Sequence, residues 1–72
     1  MKAKINIDTL SKINAFVNIC SQLSGDIKLV DGVNYCVSAK SLVGAIATMD
    51  WTQVFVESTE DIYQHIREFV VE

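Results

Sequence analysis

The chain opens with a strict alternation of apolar and polar residues. Ala3, Ile5 and Ile7 are separated by single polar residues, and a period of two is typical of a half-buried strand. The period then lengthens to three or four residues, which predicts an amphipathic helix over Asp8–Leu23. Gly25 follows this stretch and is a residue that commonly ends helices.

The middle of the chain predicts a hairpin and a short helix. Strands over Asp26–Val30 and Val33–Ser38 flank Asp31-Gly32, which is a two-residue turn signal. Ser41 stands where a helix N-cap is expected, because a serine hydroxyl can accept a hydrogen bond from an unpaired N–H of the first turn. The apolar stripe of that helix is Leu42, Ile46 and Met49, with Val43 and Ala45 beside it.

Burial along this short helix is predicted to be uneven. Leu42 and Ile46 are expected in the core, whereas Val43 and Ala47 are candidates for exposure. Trp51 follows the helix, and the pattern leaves it open between a lid over the core and a contact residue.

The last third of the chain predicts a strand and a final helix. The strand covers residues 52–57, which are rich in β-branched and aromatic side chains. Ser58 or Thr59 is the predicted cap of the helix, with acidic Glu60 and Asp61 in its first turn. Its apolar stripe is Ile62, Tyr63, Ile66, Phe69 and Val70.

The element order is therefore β-α-β-β-α-β-α in one expected domain over residues 1–72. Helices that bury their stripes against one face of a mixed or antiparallel sheet leave the other face open. The fold class predicted is α+β, an open-faced β-sandwich.

Composition narrows the functional classes. The chain has a net charge of −3, and its six basic residues are scattered along the sequence, which argues against nucleic-acid binding. No apolar run reaches the roughly 18–20 residues of a membrane span, and the N-terminal residues lack the apolar block of a signal peptide. We therefore expect a cytoplasmic protein without a membrane partner.

Cysteine usage suggests no metal or cofactor. Cys20 and Cys36 are the two cysteines, they are not in Cys-x-x-Cys spacing, and each lies inside a predicted element. Two reduced thiols, buried or half-buried and with no metal site, are the expected state.

Two stretches resemble a known family. Ser38-Ala39-Lys40-Ser41-Leu42-Val43-Gly44 is similar to the regulatory-serine region of HPr, the histidine-containing phosphocarrier protein of the bacterial sugar phosphotransferase system. Residues 16–27, from Phe16-Val17 to Asp26-Ile27, align with the same family. The resemblance implies an HPr-like four-stranded antiparallel sheet in the order 1-4-2-3 with its helices on one face.

The residues that carry phosphate in that family are replaced here. Counting back from Phe16 without a gap places Thr9 on the phosphoacceptor histidine, Ser11 on the arginine that steadies the phosphate, and Lys12 on the proline. Threonine is not a comparable nucleophile without an adjacent base. The only histidine, His65, is predicted on the polar side of the last helix. The expectation is a protein without catalytic residues, which is not an enzyme.

The resemblance therefore implies a protein-binding or regulatory module rather than a phosphocarrier. Ser41 corresponds to the regulatory phosphorylation site. The expected partners are phosphotransferase-system enzymes or a serine kinase. The predicted partner-binding residues are Lys12, Lys40, Ser41, Val43 and Ala47.

Two alternatives remain open. In the first, the chain is a working phosphocarrier that uses an unconventional acceptor. In the second, it is a small structural or ligand-sensing α+β subunit. In the second case the open sheet face forms a homodimer, with Val30 and Phe55 as candidate contacts.

Overall fold

The computed structural model describes residues 1–71, and it has the α+β architecture that the pattern predicts. The strands are Lys2–Ile5 (β1), Ile27–Val30 (β2), Cys36–Ser38 (β3) and Val54–Ser58 (β4). The helices are Leu10–Ser21 (α1), Leu42–Ala47 (α2) and Tyr63–Ile66 (α3), and short 3₁₀ turns at Thr48–Asp50 and Arg67–Phe69 continue the last two.

The four strands form one sheet in the order β1-β4-β2-β3, and every neighbouring pair is antiparallel. This confirms the predicted strand order. The register places Val56 beside both Ala3 and Leu29, and Leu29 beside Val37. This row belongs to the inner face of the sheet, which packs against the helices.

The core lies between that inner face and α1. One stripe of α1 is buried, as its period of three and four predicts. The rings of Phe16 and Phe69 meet edge to face, with centroids 5.3 Å apart, and so join α1 to the C-terminal 3₁₀ turn. The buried residues contributed by α1 are Ile13, Phe16, Val17 and Cys20.

The two edges of the sheet differ. Beside β1, Val70 forms an isolated antiparallel β-bridge with Ile5, and the Val71 N–H donates to the Lys4 carbonyl at 2.9 Å. The Asn6 N–H also donates to the Phe69 carbonyl at 2.8 Å. The C-terminal segment therefore covers the C-terminal end of the β1 edge, whereas β3 is a three-residue edge strand.

The predicted two-residue turn in the hairpin is wrong. Residues 31–35 form the connection, because Asp31 Oδ1 accepts hydrogen bonds from three successive N–H groups. These donors are Val33 at 2.8 Å, Asn34 at 2.9 Å and Tyr35 at 3.0 Å. Their N–H groups are thus bound to a side chain rather than to a neighbouring strand, and β3 starts at Cys36 instead of Val33.

The last helix is also shorter than predicted. Ser58 ends β4, and neither Ser58 nor Thr59 caps α3. The carboxylate of Asp61 instead accepts a hydrogen bond from the Tyr63 N–H at 3.1 Å. The acidic residues therefore precede the helix, although Ile62, Ile66 and Phe69 are buried as expected.

The helices are too short for a bilayer. Across residues 1–71, none has the length and apolar character that crossing a membrane requires.

Candidate functional site

Ser41 caps α2. Its backbone is extended, with φ −104° and ψ 117°, and its Oγ accepts a hydrogen bond from the Gly44 N–H at 3.2 Å. The predicted N-cap is therefore confirmed. A Cβ at Gly44 would lie 3.2 Å from the Val37 Cβ, so glycine lets α2 lie close to β3.

The helix that follows presents its large apolar side chains to solvent. Val43 is 81% exposed, Leu42 is 42% exposed and Ile46 is 39% exposed. The prediction that Leu42 and Ile46 are core residues is wrong, whereas the exposure of Val43 and Ala47 is confirmed.

Small residues explain this arrangement. Ala45 is the buried residue of α2, and Thr48 is buried just beyond it. The Thr48 hydroxyl donates to the Ala45 carbonyl at 2.7 Å, which satisfies its polar group inside the protein. Because α2 contacts the core through these small side chains, its larger ones remain outside. We call the exposed apolar residues of α2 and of the 3₁₀ turn after it the helix surface: Leu42, Val43, Ile46, Ala47 and Met49.

A shallow groove connects the helix surface to α1. It has a volume of about 460 Å³. Leu42 forms one side of the groove and residues of α1 form the other. The lining residues are Asn14, Ala15, Val17, Asn18, Ser21 and Leu42.

The two predicted partner-binding lysines lie at opposite ends of α1. Lys12 is in the first turn, where its Nζ pairs with Asp8 Oδ1 at 3.3 Å. Lys40 precedes Ser41, and its Nζ donates to the Leu23 carbonyl at 2.7 Å, beyond the C-terminal end of α1. At 1.5 Å per residue the two ends are about 16 Å apart. The lysines therefore do not form one cluster with Ser41.

Acidic residues are absent from both helices. Residues 9–25 and 32–49 contain no Asp or Glu, although the chain has nine acidic residues and a net charge of −3. The helix surface is thus apolar, and the segments that form α1 and α2 carry only Lys12 and Lys40 as charged residues.

The start of α1 is an ordinary capped terminus. Thr9 Oγ1 accepts a hydrogen bond from the Lys12 N–H at 3.2 Å, and Ser11 is exposed in the first turn. The nearest carboxylate in sequence, Asp8, is already paired with Lys12 Nζ. His65 is exposed on α3, as expected. The hydroxyl of Thr9 thus caps the helix and has no imidazole or free carboxylate adjacent to it in sequence.

The two cysteine thiols differ in exposure. Cys20 is buried as predicted, but the prediction that Cys36 is at least half-buried is wrong. Cys36 lies on the edge strand β3, on the opposite side of the sheet from Val37, where no helix of residues 1–71 covers it. Burial raises the pKa of the Cys20 thiol to about 11, and the nearby Lys40 ammonium lowers it in part. Within the described chain, no three His, Cys, Asp or Glu side chains come together in a group suited to a metal ion.

One aromatic contact was missed by the sequence pattern. Trp51 is half-buried against the core and stacks on Tyr35, with centroids 6.0 Å apart and ring planes 22° apart. Trp51 therefore packs against the core and also supports the loop of residues 31–35. Tyr35 lies outside the regular strand, so alternation could not place it.

Comparison with protein-family models, curated proteins and solved structures finds no match for this chain. Function is therefore inferred from the residues and their geometry.

Proposed function

We propose that this chain is an HPr-like protein-binding module related to the phosphoenolpyruvate-dependent sugar phosphotransferase system, and that it does not transfer phosphate. Its contact region is the helix surface. Ser41, which directly precedes Leu42 at one end of this surface, is its regulatory phosphorylation site. The expected partners are enzymes of that system and a serine kinase.

The exposed apolar side chains of the helix surface are the observation that carries this proposal. Of the eight large apolar residues that are exposed, four lie within residues 42–49. Scattered exposed apolar residues are ordinary on a protein surface, but a contiguous group marks an interaction site. The neighbouring groove on α1 extends this surface, and neither helix carries an acidic residue.

The start of α1 supports a module without phosphotransfer. Thr9 and Ser11 stand where the family has histidine and arginine, and the Thr9 hydroxyl is engaged as a cap. An alcohol needs a general base to become a nucleophile. The adjacent carboxylate of Asp8 is paired with Lys12.

The position of Ser41 supports regulation by charge. Its side chain is exposed and directly precedes the helix surface. A phosphate carries about −1.5 to −2 charges at neutral pH, and close to an apolar interface it disfavours burial of that surface. Phosphorylation of Ser41 is therefore expected to weaken binding through the helix surface.

Binding is tested with the first enzyme of the phosphotransferase system by calorimetry. Val43→Asp places a charge on the most exposed residue of the helix surface and is expected to weaken binding at least tenfold. Val33→Asp is the matched control, because Val33 is 78% exposed and lies outside both helices. Equal affinity of the two variants would reject the helix surface as the contact region.

Phosphotransfer is tested by incubating this chain with the same enzyme and phosphoenolpyruvate. No phosphoryl group is expected on this chain. An acid-labile phosphoryl group found by mass spectrometry would overturn that part of the proposal and would identify the acceptor residue.

The regulatory part is tested separately with a serine kinase of the same system. Label is expected on the wild type and on Ser38→Ala, but not on Ser41→Ala. Equal labelling of wild type and Ser41→Ala would exclude Ser41 as the modified residue.

A further inference from the structure

The outer face of the sheet, opposite the helices, gathers charges that are far apart in sequence. Lys2 and Lys28 lie in one row on either side of Glu57. Lys4 lies in the next row beside Phe55, which in turn neighbours Val30. We call this surface the outer face: Lys2, Lys4, Lys28, Val30, Cys36, Ser38, Phe55 and Glu57.

The outer face is positive on a negative protein. It holds three lysines and one glutamate, which gives a net charge of +2, whereas the chain has −3 and the remaining residues therefore carry −5. Lys2 Nζ lies 3.5 Å from Glu57 Oε2 and 5.2 Å from the centre of the Phe55 ring. Lys4 and Lys28 have no carboxylate within 4.0 Å among residues 1–71. An anionic partner therefore meets two lysines that have no ion-pair partner of their own in this part of the chain.

Apolar side chains lie between these charges. Val30 and Phe55 are half-buried, although Leu29 and Val56, their neighbours in sequence, are buried on the inner face. The prediction that Val30 and Phe55 lie on the open face is therefore confirmed. A partner can thus desolvate an apolar centre while it pairs with the lysines around it.

We propose that the outer face is a second protein-docking surface, which takes an acidic protein segment with an apolar anchor. Carboxylates of the segment pair with Lys4 and Lys28, and its apolar side chain packs on Val30 and Phe55. Together with the helix surface, this gives the module two interaction surfaces on opposite sides of the sheet.

The arrangement of charges selects this occupant over others. Glu57 lies between Lys2 and Lys28, so a continuous chain of phosphates that crossed the row would meet a carboxylate. A second copy that docked face to face would bring the same three lysines together, and like charges oppose association. A protein segment can instead place a donor at Glu57 and carboxylates at the lysines.

The test is NMR of the isotope-labelled full chain with a synthetic peptide in which glutamates surround one leucine. The backbone amides of Lys2, Lys28 and Phe55 are expected to shift, and that of Val43 is not. Lys28→Glu is expected to weaken peptide binding about fivefold, because it replaces an attraction by a repulsion. Arg67→Glu is the control with the same charge change, since Arg67 is exposed in the 3₁₀ turn after α3 and is not on the outer face.

Several outcomes would overturn this proposal. The absence of shifts on the outer face at millimolar peptide would do so, as would equal binding of a peptide with lysines in place of the glutamates. Tighter binding of single-stranded oligothymidylate would assign the face to nucleic acid. Concentration-dependent shifts of the outer-face amides without peptide would assign it to a second copy. None of these outcomes bears on the helix surface, which the Val43→Asp experiment tests independently.

Discussion

The ammonium of Lys40 donates a hydrogen bond to the carbonyl oxygen of Leu23 over 2.7 Å. α1 has no basic residue in its own last turn, so a side chain from the segment before α2 supplies the positive charge at this end of the helix. The contact joins residues 17 positions apart and thereby fixes the start of α2 relative to α1.

Removal of this contact is expected to lower stability. Lys40→Met keeps an unbranched apolar stem but loses the charged donor, which should reduce the free energy of unfolding by about 1 kcal/mol. Urea denaturation measures the change. Lys12→Met is the control, because its surface pair with Asp8 should contribute only about 0.3 kcal/mol. Equal losses would show that the Leu23 contact contributes no more than a surface ion pair.

Stability at alkaline pH is expected to depend on Cys20. The pKa of its thiol is about 11 in the folded protein against an ordinary value of 9.0, because burial disfavours the thiolate. Above pH 9.0 the unfolded chain loses this proton while the folded protein keeps it. The free energy of unfolding should therefore fall by about 2 kcal/mol as the pH rises from 9.0 to about 11.

The measurement is urea denaturation at a series of pH values for wild type and Cys20→Ala. The variant loses the thiol, so its slope over this range should be shallower whatever its absolute stability. Parallel curves would mean that the Cys20 proton does not contribute to folding.

The loop of residues 31–35 is expected to loosen in acid. Three backbone N–H groups hold the pKa of the Asp31 carboxyl below its ordinary value of 3.8. A lowered pKa stabilises the folded loop above pH 3.8, and this contribution is lost as the pH falls through the folded value. The protection of the Val33, Asn34 and Tyr35 amides against exchange, relative to an unstructured chain at the same pH, should therefore fall in strong acid. In Asp31→Ala these amides should exchange rapidly at every pH; protection equal to wild type would contradict the role of Asp31.

The cap of α2 gives a prediction that is independent of phosphorylation. Ser41→Ala leaves the Gly44 N–H without its acceptor and should cost about 1 kcal/mol of folding free energy. Ser41→Asp keeps a capping oxygen and should remain close to wild type. Thermal unfolding of the unphosphorylated variants compares them, and a Ser41→Asp variant as unstable as Ser41→Ala would refute the capping role.

Local periodicity was sufficient for the element order and for most of the core. The alternation around Ile5 and the stripe through Phe16 reflect burial on one side of a strand or helix, and both residues are buried. The strand order came from the family resemblance, because periodicity does not specify which strands are neighbours.

The errors arose where a side chain or a distant contact decides the structure. The carboxylate of Asp31 binds three N–H groups and extends the turn, which a two-residue signal does not reveal. The apolar stripe predicts Leu42 in the core although the side chain is exposed, because a stripe marks one side of a helix without showing how closely that helix approaches the sheet. The lysines are scattered in sequence but not in space, because β1 and β2, which bring Lys2, Lys4 and Lys28 to one face, are far apart along the chain.

The covered side of β1 limits how the sheet can associate with other chains. Residues 69–71 already occupy the Lys4 carbonyl and the Asn6 N–H on that side, so β3 is the edge that is less covered. Growth into a continuous ribbon requires an unoccupied edge at both ends of each unit. The partial cover over β1 therefore disfavours continuous growth of strands through the native sheet.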